Sequence, residues 1–453
     1  MSARLNVFAS GRRVATLSSP DSFEHHLTYE RDAANGDFVS LLMPVRPQSW
    51  SWPALHPFFQ VSLPEGFLLD VLREQLGPHL GAHALDLLAV TGHNTIGRIE
   101  VSAGESVSNS AALFDIAPLL HGAQSAQVFM RLLREHAASG VSGVVPKFLN
   151  PAAPALFRKG TLTTERHIIK SSAPALPFMA LNEHLCMEVA RRTGFAAAAT
   201  QVSEDGQVLV VERFDIDALS GARQGFEDCC SLLGLAPGDK YNATWERVAR
   251  LAREWVAPVR HRAAMEQLAV TLLLTYALGN ADCHSKNLGL LYSSVDDVRV
   301  APVYDMLTTR AYDKYADNPP GMYVDGRKSW QPGKSLWRVL QQHLQVEPAR
   351  QRELVQTVCD AATSVFPELL QHTRHTPGFA AIGARMIWEW QQGLMRLQER
   401  LPKGRRVSLP SLTAQALQAG VNEPPKPERF APERTGESPL LGRRRSRPVR
   451  PAS

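Results

Sequence analysis

Residues 279–287 read Gly-Asn-Ala-Asp-Cys-His-Ser-Lys-Asn, and Tyr304-Asp305 follow closely. Asp282 and Asn287 are five positions apart, and Asp305 stands eighteen beyond Asn287. An Asp, an Asn five on and a second Asp after a short hairpin is the order of polar groups in a phosphoryl-transfer site of the protein-kinase type. There the first Asp takes or orients the proton of the attacking hydroxyl, and the Asn and second Asp hold Mg2+ on the phosphates. Asn287 and Asp305 offer the hard oxygen donors that suit this ion. Lys286 offers a point charge to the transferring phosphoryl group. Alone, the Asp282-to-Asn287 spacing reads as a helix-ending turn with polar surface groups; the placement of Asp305 after a hairpin strengthens the chemical reading. A zinc cluster of Asp282, Cys283 and His284 is disfavoured, because adjacent residues rarely build one and no second ligand group has suitable spacing.

A site of this kind needs a lysine, a phosphate loop and an adenine-binding strand. Arg166 to Lys170 reads as a strand with Lys170 near its end, where a buried ammonium is costly unless paired. Phosphate oxygens would pair it, and Glu183 on the following helix would orient it. A surface lysine at a strand end is the plainer alternative. Ser139-Gly140-Val141-Ser142-Gly143 can cradle phosphates through backbone N–H groups, and Ser142 is itself a hydroxyl able to receive phosphate; such a stretch is otherwise a flexible turn. Glu212-Arg213-Phe214-Asp215 closes an apolar strand. In a two-lobed kinase the chain leaves its small lobe here, and backbone groups read adenine.

The elements that would carry these groups are legible from periodicity and turn chemistry. Arg4 to Ser10 and Arg13 to Leu17 flank Gly11-Arg12 as a hairpin. Phe67 to Leu76 has helical spacing, and Ile99 to Val101 reads as a strand. A helix is expected over Ala126 to Ala137, then a strand around Phe148. Leu181, Leu185 and Val189 define one helix face, ended by Gly194. Gln201-Val202 and Val208 to Phe214 pair across Asp205-Gly206. From about residue 245 the pattern turns helical: Pro258 to Leu278, Glu347 to Val365 and Phe379 to Leu401, with a hairpin of Leu288 to Tyr292 and Val298 to Ala301 between them.

The chain has 453 residues, 44% hydrophobic and 21% charged, as expected of a soluble globular protein of two to four domains. Its five cysteines show no CxxC pair, which fits a reducing compartment. The N-terminus lacks a signal pattern. The apolar run Leu268 to Gly279 is shorter than the roughly 20 residues needed to span a bilayer. A cytoplasmic protein with no membrane partner is expected. The net charge is +5, of which residues 421–453 carry +4, so the body is nearly neutral. That tail is rich in Pro and Arg and poor in large apolar residues, and disorder is expected for it. The basicity therefore does not argue for a nucleic-acid face on the folded part.

Taken together, these pieces resemble the HipA family of bacterial serine/threonine kinases, the toxins of toxin–antitoxin operons. The matching stretches are Ser142 to Lys147, His167 to Lys170, Asn182-Glu183-His184 through Arg191, Val211 to Asp215, Gly279 to Asn287 and Pro302 to Asp305. Lys240-Tyr241, after Phe226-Glu227-Asp228, is similar to the family's segment near the lobe junction. Leu63-Pro64 and Gly92 through Gly97 look like parts of the small domain that precedes the kinase. The resemblance covers about residues 1 to 400 and implies an α+β, two-lobed protein-kinase-like fold. It would have a small mixed α/β N-terminal unit (1–105), an N-lobe with the phosphate loop (106–245), an all-helical C-lobe with the catalytic loop (246–420) and the basic tail (421–453). It implies ATP contacts at Ser142, Gly143, Lys170, Glu212, Phe214 and Tyr304, catalysis by Asp282 with Lys286, and Mg2+ at Asn287 and Asp305.

The family also autophosphorylates a serine of the glycine-rich loop, which ejects the loop and switches the kinase off. The usual position, three before Gly143, is Gly140 here; Ser142 and Ser139 are the nearby hydroxyls, and Val145 replaces a frequent glutamine. The implied partners are a protein substrate, a helix-turn-helix antitoxin, and operator DNA through or alongside that antitoxin. A non-catalytic or weakly catalytic co-repressor that stabilises an antitoxin–operator complex is the alternative, as is a small-molecule phosphotransferase of related fold.

Overall fold

The structure, a computed structural model, describes residues 3–21, 24–63, 84–92, 95–106, 116–122, 124–129, 160–164, 166–331, 333–399 and 409–425. The helix expected at Phe67 to Leu76, the strand around Phe148, the Ser139-to-Gly143 loop and most of the tail lie outside the described residues.

Among the described residues, three antiparallel sheets organise the fold. Strands β1 (Ala3–Ala9), β2 (Arg12–Asp21), β3 (Glu24–Tyr29), β4 (Trp50–Trp52) and β5 (Ile99–Ser102) form the first, in the order β4-β3-β2-β1-β5. The β1–β2 hairpin turns at Ser10-Gly11, both at positive φ. Alternating residues Leu5, Val7, Leu17 and Leu27 point inward, against Leu85 and Leu88 of helix α1 (Ala84–Thr91). This is the period-2 burial of a sheet with one face packed on a core.

The second sheet contains β6 (Gly160–Thr163), β7 (His167–Ser171), β8 (Thr200–Val202) and β9 (Val208–Glu212), in the order β6-β7-β9-β8. Helix α2 (Met179–Arg192) lies on it, burying Leu181, Leu185 and Val189, the face expected from their spacing. The β8–β9 hairpin turns at Asp205-Gly206, where Asp205 accepts from Ser125, Ser203 and Gln207.

Helices α3 (Trp245–Trp255), α4 (His261–Leu278), α5 (Pro348–His375) and α6 (Ala380–Gln398) share one core with α2. α4 is buried on nearly all sides, which explains its apolar composition all round. Its close partner is α6. A Cβ on Gly393 would lie 2.1 Å from the Ala277 carbonyl oxygen, so only glycine lets the two helices approach this closely. α5 runs ten residues past the expected end at Val365, through Pro367, because Phe366, Leu369 and Thr373 continue its buried face.

Residues 246–420 are not all helical. Strands β11 (Gly289–Tyr292) and β12 (Arg299–Val300) pair with β10 (Gly225–Asp228) as a third sheet, β10-β11-β12. The hairpin itself was legible from the sequence; its pairing with a strand sixty residues upstream was not, since cross-strand partners so distant leave no local pattern.

Glu227 on β10 ties this sheet to the first unit. It is buried and accepts from Ser40 Oγ (2.6 Å), the Leu41 amide (2.7 Å) and the Tyr292 hydroxyl (2.7 Å). Burial pushes its carboxyl up to about 7, outweighing these three donors, which pull it down. The folded protein therefore binds this proton more tightly than the unfolded chain. The group's contribution is full below about pH 4.5 and is lost as pH rises through about 7. We expect wild-type stability to fall from pH 4.5 to 8 relative to Glu227→Gln by something on the order of 3 kcal/mol. Urea midpoints across that range measure it; parallel pH profiles of the two proteins would refute it.

Candidate active site

The loop after α4 is shaped by its own polar groups. Gly279 ends the helix in the left-handed conformation at φ +68°. The Asn280 side-chain carbonyl then accepts the Asp282 amide at 3.0 Å, and the Ala281 amide donates to Thr309 Oγ1 at 2.7 Å. Ser285–Asn287 makes a 3-10 turn in which Asn287 Oδ1 accepts the His284 amide at 3.2 Å. A second glycine presses on this loop: a Cβ on Gly321 would fall 2.4 Å from the Cys283 carbonyl oxygen. The loop thus rests on backbone that only glycine allows.

Asp305 takes a left-handed backbone at φ +57°, strained for a residue with a Cβ. That conformation aims its carboxylate at two partners. Oδ1 accepts from Lys170 Nζ at 2.5 Å, and Oδ2 accepts from Asn287 Nδ2 at 2.5 Å. Lys170 Nζ also donates to Glu183 Oε1 at 2.5 Å. The lysine and Glu183 are largely buried, at 13% and 2% side-chain exposure. Burial alone would lower the lysine pKa, but Asp305 and Glu183 outweigh it and raise it above the ordinary value.

A cavity of about 460 Å³ opens beside this cluster. Lys170, Glu183, Phe214, Lys286, Tyr304 and Asp305 all line it. Its apolar end is an aromatic group: Phe214 lies 5.2 Å from Tyr304 and 5.5 Å from Phe226, ring centre to ring centre. The Tyr304 hydroxyl donates to the Lys286 carbonyl at 2.8 Å, which joins the aromatic wall to the loop that follows α4.

The first unit completes the cavity, with Phe58, Thr95, Ile96 and Ile99 on its wall. A buried ion pair, Arg213 to Asp215 at 2.6 Å, anchors that contact. Arg213 also donates to the Thr95 carbonyl at 3.0 Å, and the Gly97 amide donates to Asp215 Oδ2 at 2.7 Å.

Six expected residues, Lys170, Glu183, Phe214, Lys286, Tyr304 and Asp305, therefore converge on one cavity, and Asn287 joins them through Asp305. Asp282 stands on the same loop, where its Oδ1 accepts a hydrogen bond from Tyr241. Glu212 ends β9 with an exposed side chain, so any part it plays is through its backbone. Ser139, Ser142 and Gly143 lie outside the described residues. Sequence reasoning assigned no role to Tyr241, Phe226 or the Arg213–Asp215 anchor. For Tyr241 the available signal was its place in the Lys240-Tyr241 segment; for the anchor there was none, because its partner Thr95 is remote in sequence.

No cluster of three or more His, Cys, Asp or Glu side chains suited to a metal ion occurs among the described residues. Asn287 and Asp305 supply a narrower donor set, an amide and a carboxylate in contact. This suits Mg2+, which is commonly held by one or two side chains plus substrate phosphates. The Asn287 amide nitrogen faces Asp305 and its oxygen accepts from the His284 amide, so for the two side chains to share an ion the oxygen would have to turn toward Asp305.

Comparison with known proteins bears on the family and the fold. Residues 139–366 match the HipA-like C-terminal domain and residues 5–102 match the HipA N-terminal domain. This chain belongs to the HipA family. Among proteins similar to it is one of Sinorhizobium fredii named "Putative kinase Y4mE", 28% identical over 339 residues that cover 68% of this chain and 78% of that protein. A second from the same organism, "Putative kinase Y4dM", is 25% identical and covers 61% of this chain and 66% of its own length. Among solved structures, a chain of the Shewanella oneidensis MR-1 toxin–antitoxin HipA, HipB and operator DNA complex superposes with a TM-score of 0.65 at 18% identity, over 87% of this chain and 96% of that one. The chain thus has a HipA-like, mixed α/β fold. Among the described residues no helix is long and apolar enough to cross a membrane.

Proposed function

We propose that this HipA-family protein is an ATP- and Mg2+-dependent serine/threonine protein kinase. It would act as the toxin of a bacterial toxin–antitoxin pair, modifying a cellular protein and inhibiting growth. The observation that carries the reading is the Lys170 ammonium 2.5 Å from both Glu183 and Asp305, with Asn287 on the other oxygen of Asp305 and the cavity alongside.

Each group has a task in that chemistry. Phe214 and Tyr304 flank the slot for a planar base. Lys170, fixed by Glu183, meets phosphate oxygens. Lys286 faces the same cavity and offsets charge on the transferring group. Asn287 and Asp305 would hold Mg2+, which neutralises phosphate charge when bound. Asp282 orients the acceptor hydroxyl and takes its proton as the new oxygen–phosphorus bond forms and the bond to ADP breaks. The first unit closes the far wall of the cavity. The expected partner is a helix-turn-helix antitoxin, with operator DNA bound through or alongside it; the structural similarity to a complex of that composition supports this. A cytoplasmic location follows from those partners.

Incubation of the purified protein with Mg2+ and labelled ATP, with and without cell extract, tests the reading. Label on serine or threonine of a protein is expected. No transfer to any protein, alongside tight binding to an antitoxin–operator complex, would replace it with the co-repressor.

A further inference from the structure

The catalytic-loop carboxylate has a partner that lies outside the chemistry described so far. Tyr241 belongs to a 3-10 turn, Pro237–Asn242, about forty residues before the loop. Its hydroxyl donates to Asp282 Oδ1. The ring is buried, at 6% exposure, and is held from several directions. The His284 ring packs edge-on against it with centres 5.0 Å apart. Lys240 and Lys328 place their ammonium groups 5.6 and 5.7 Å from the ring centre. Lys328 also donates to the Tyr241 carbonyl at 2.8 Å, and Ser285 Oγ on the catalytic loop donates to the Lys240 carbonyl at 2.8 Å. The turn is therefore tied to the loop at Lys240 and Tyr241, and Lys328 holds it from a third segment.

A carboxylate on a loop can rotate about its last bond. Backbone contacts fix where the Asp282 main chain runs, but they do not set the plane of its carboxylate. A phenol held rigidly against one oxygen does. His284 Nε2 is 3.9 Å from the same oxygen, but burial, then the positive charge of Lys240, hold this imidazole well below its ordinary pKa, so it brings no charge.

We infer that Tyr241 is a positioning residue of the acceptor site, helping to set the Asp282 carboxylate plane so that it meets an incoming hydroxyl in line with the phosphoryl group. This rests on the kinase reading. The hydrogen bond favours the charged carboxylate, so Tyr241 also lowers the basicity of Asp282. Orientation is gained at the cost of some base strength, a useful exchange where catalysis is mostly positioning.

Tyr241→Phe keeps the ring and its packing and removes only the donor. Two measurements on the full chain test the inference. Carbon-13 aspartate labelling, with the Asp282 signal identified by its absence in Asp282→Asn, follows the carboxylate titration. In Tyr241→Phe it should move up by about one pH unit. Among the described residues, Lys240, His284 and Lys328, which surround Tyr241 and the Asp282 oxygen it meets, are the same in both proteins. In the phosphorylation assay kcat should fall about tenfold with KM for ATP unchanged, and the acid limb of the pH profile should move up with the titration.

An Asp282 titration that does not move overturns the inference, whatever happens to rate. So does an unchanged kcat, or a loss that appears in KM for ATP. If the wild type transfers no phosphate at all, the kinase reading has failed. The titration then still reports separately whether Tyr241 holds Asp282.

Discussion

Asp282→Asn is expected to lower protein phosphorylation by about 10²- to 10⁴-fold, the usual contribution of a positioned general base. Asparagine has nearly the same shape, so the fold and the nucleotide cavity should survive. Asp282 is not part of the Lys170–Glu183–Asp305 cluster, and the bond from its amide to Asn280 is made by backbone. ATP affinity and the urea midpoint should therefore stay near wild type while transfer collapses. Quantified label incorporation beside a nucleotide-binding isotherm makes the comparison. Retained transfer in Asp282→Asn would remove the carboxylate from the chemistry.

Lys170→Met should have the larger effect on the folded protein. The substitution keeps the volume and removes the ammonium, leaving Glu183, at 2% exposure, beside Asp305 with the cation between them gone. Breaking a buried pair by removing one partner costs several kcal/mol; about 3 kcal/mol is expected here, the low end, because Asp305 keeps some contact with water. The two carboxylates then repel and their pKa values rise, so the deficit should shrink as pH falls toward about 4 and they take up protons. Nucleotide binding should weaken as well, since the phosphates lose their lysine. Urea denaturation at pH 7.5 and pH 4.5 checks the stability claim. A variant equally stable at both, and equal to wild type, would mean that the cluster is not a linked charge network.

The contrast between these variants separates two properties of the site. Asp282 sits on a loop held by main-chain amides and glycine contacts, so replacing its carboxylate is expected to leave the scaffold undisturbed. Lys170 joins β7, α2 and Asp305, so it is part of the scaffold as well as of the proposed chemistry.

How much of this was legible in the residues follows from which interactions are local. The β1–β2 and β8–β9 hairpins, the α2 face and the end of α4 at Gly279 are written in turn residues and periodicity, and each appears where those signals put it, save that the first hairpin turns one residue earlier, at Ser10-Gly11. The order Lys170, Asp282, Asn287, Asp305 likewise named the polar groups of the site, because their chemical types and spacing are properties of the chain. Contacts between remote segments left no such trace. The pairing of β10 with β11, the Glu227 link to Ser40 and Leu41, the Arg213–Asp215 anchor to Thr95 and Gly97, and the closeness of α4 and α6 at Gly393 all join residues distant in sequence. Only the folded chain decides them, since their energy comes from burial and charge pairing that no local window contains. For the same reason the sequence by itself determined the chemical types and the order of these polar groups. The tertiary structure decided that Asp305 sits between Lys170 and Asn287, and that Tyr241 holds Asp282.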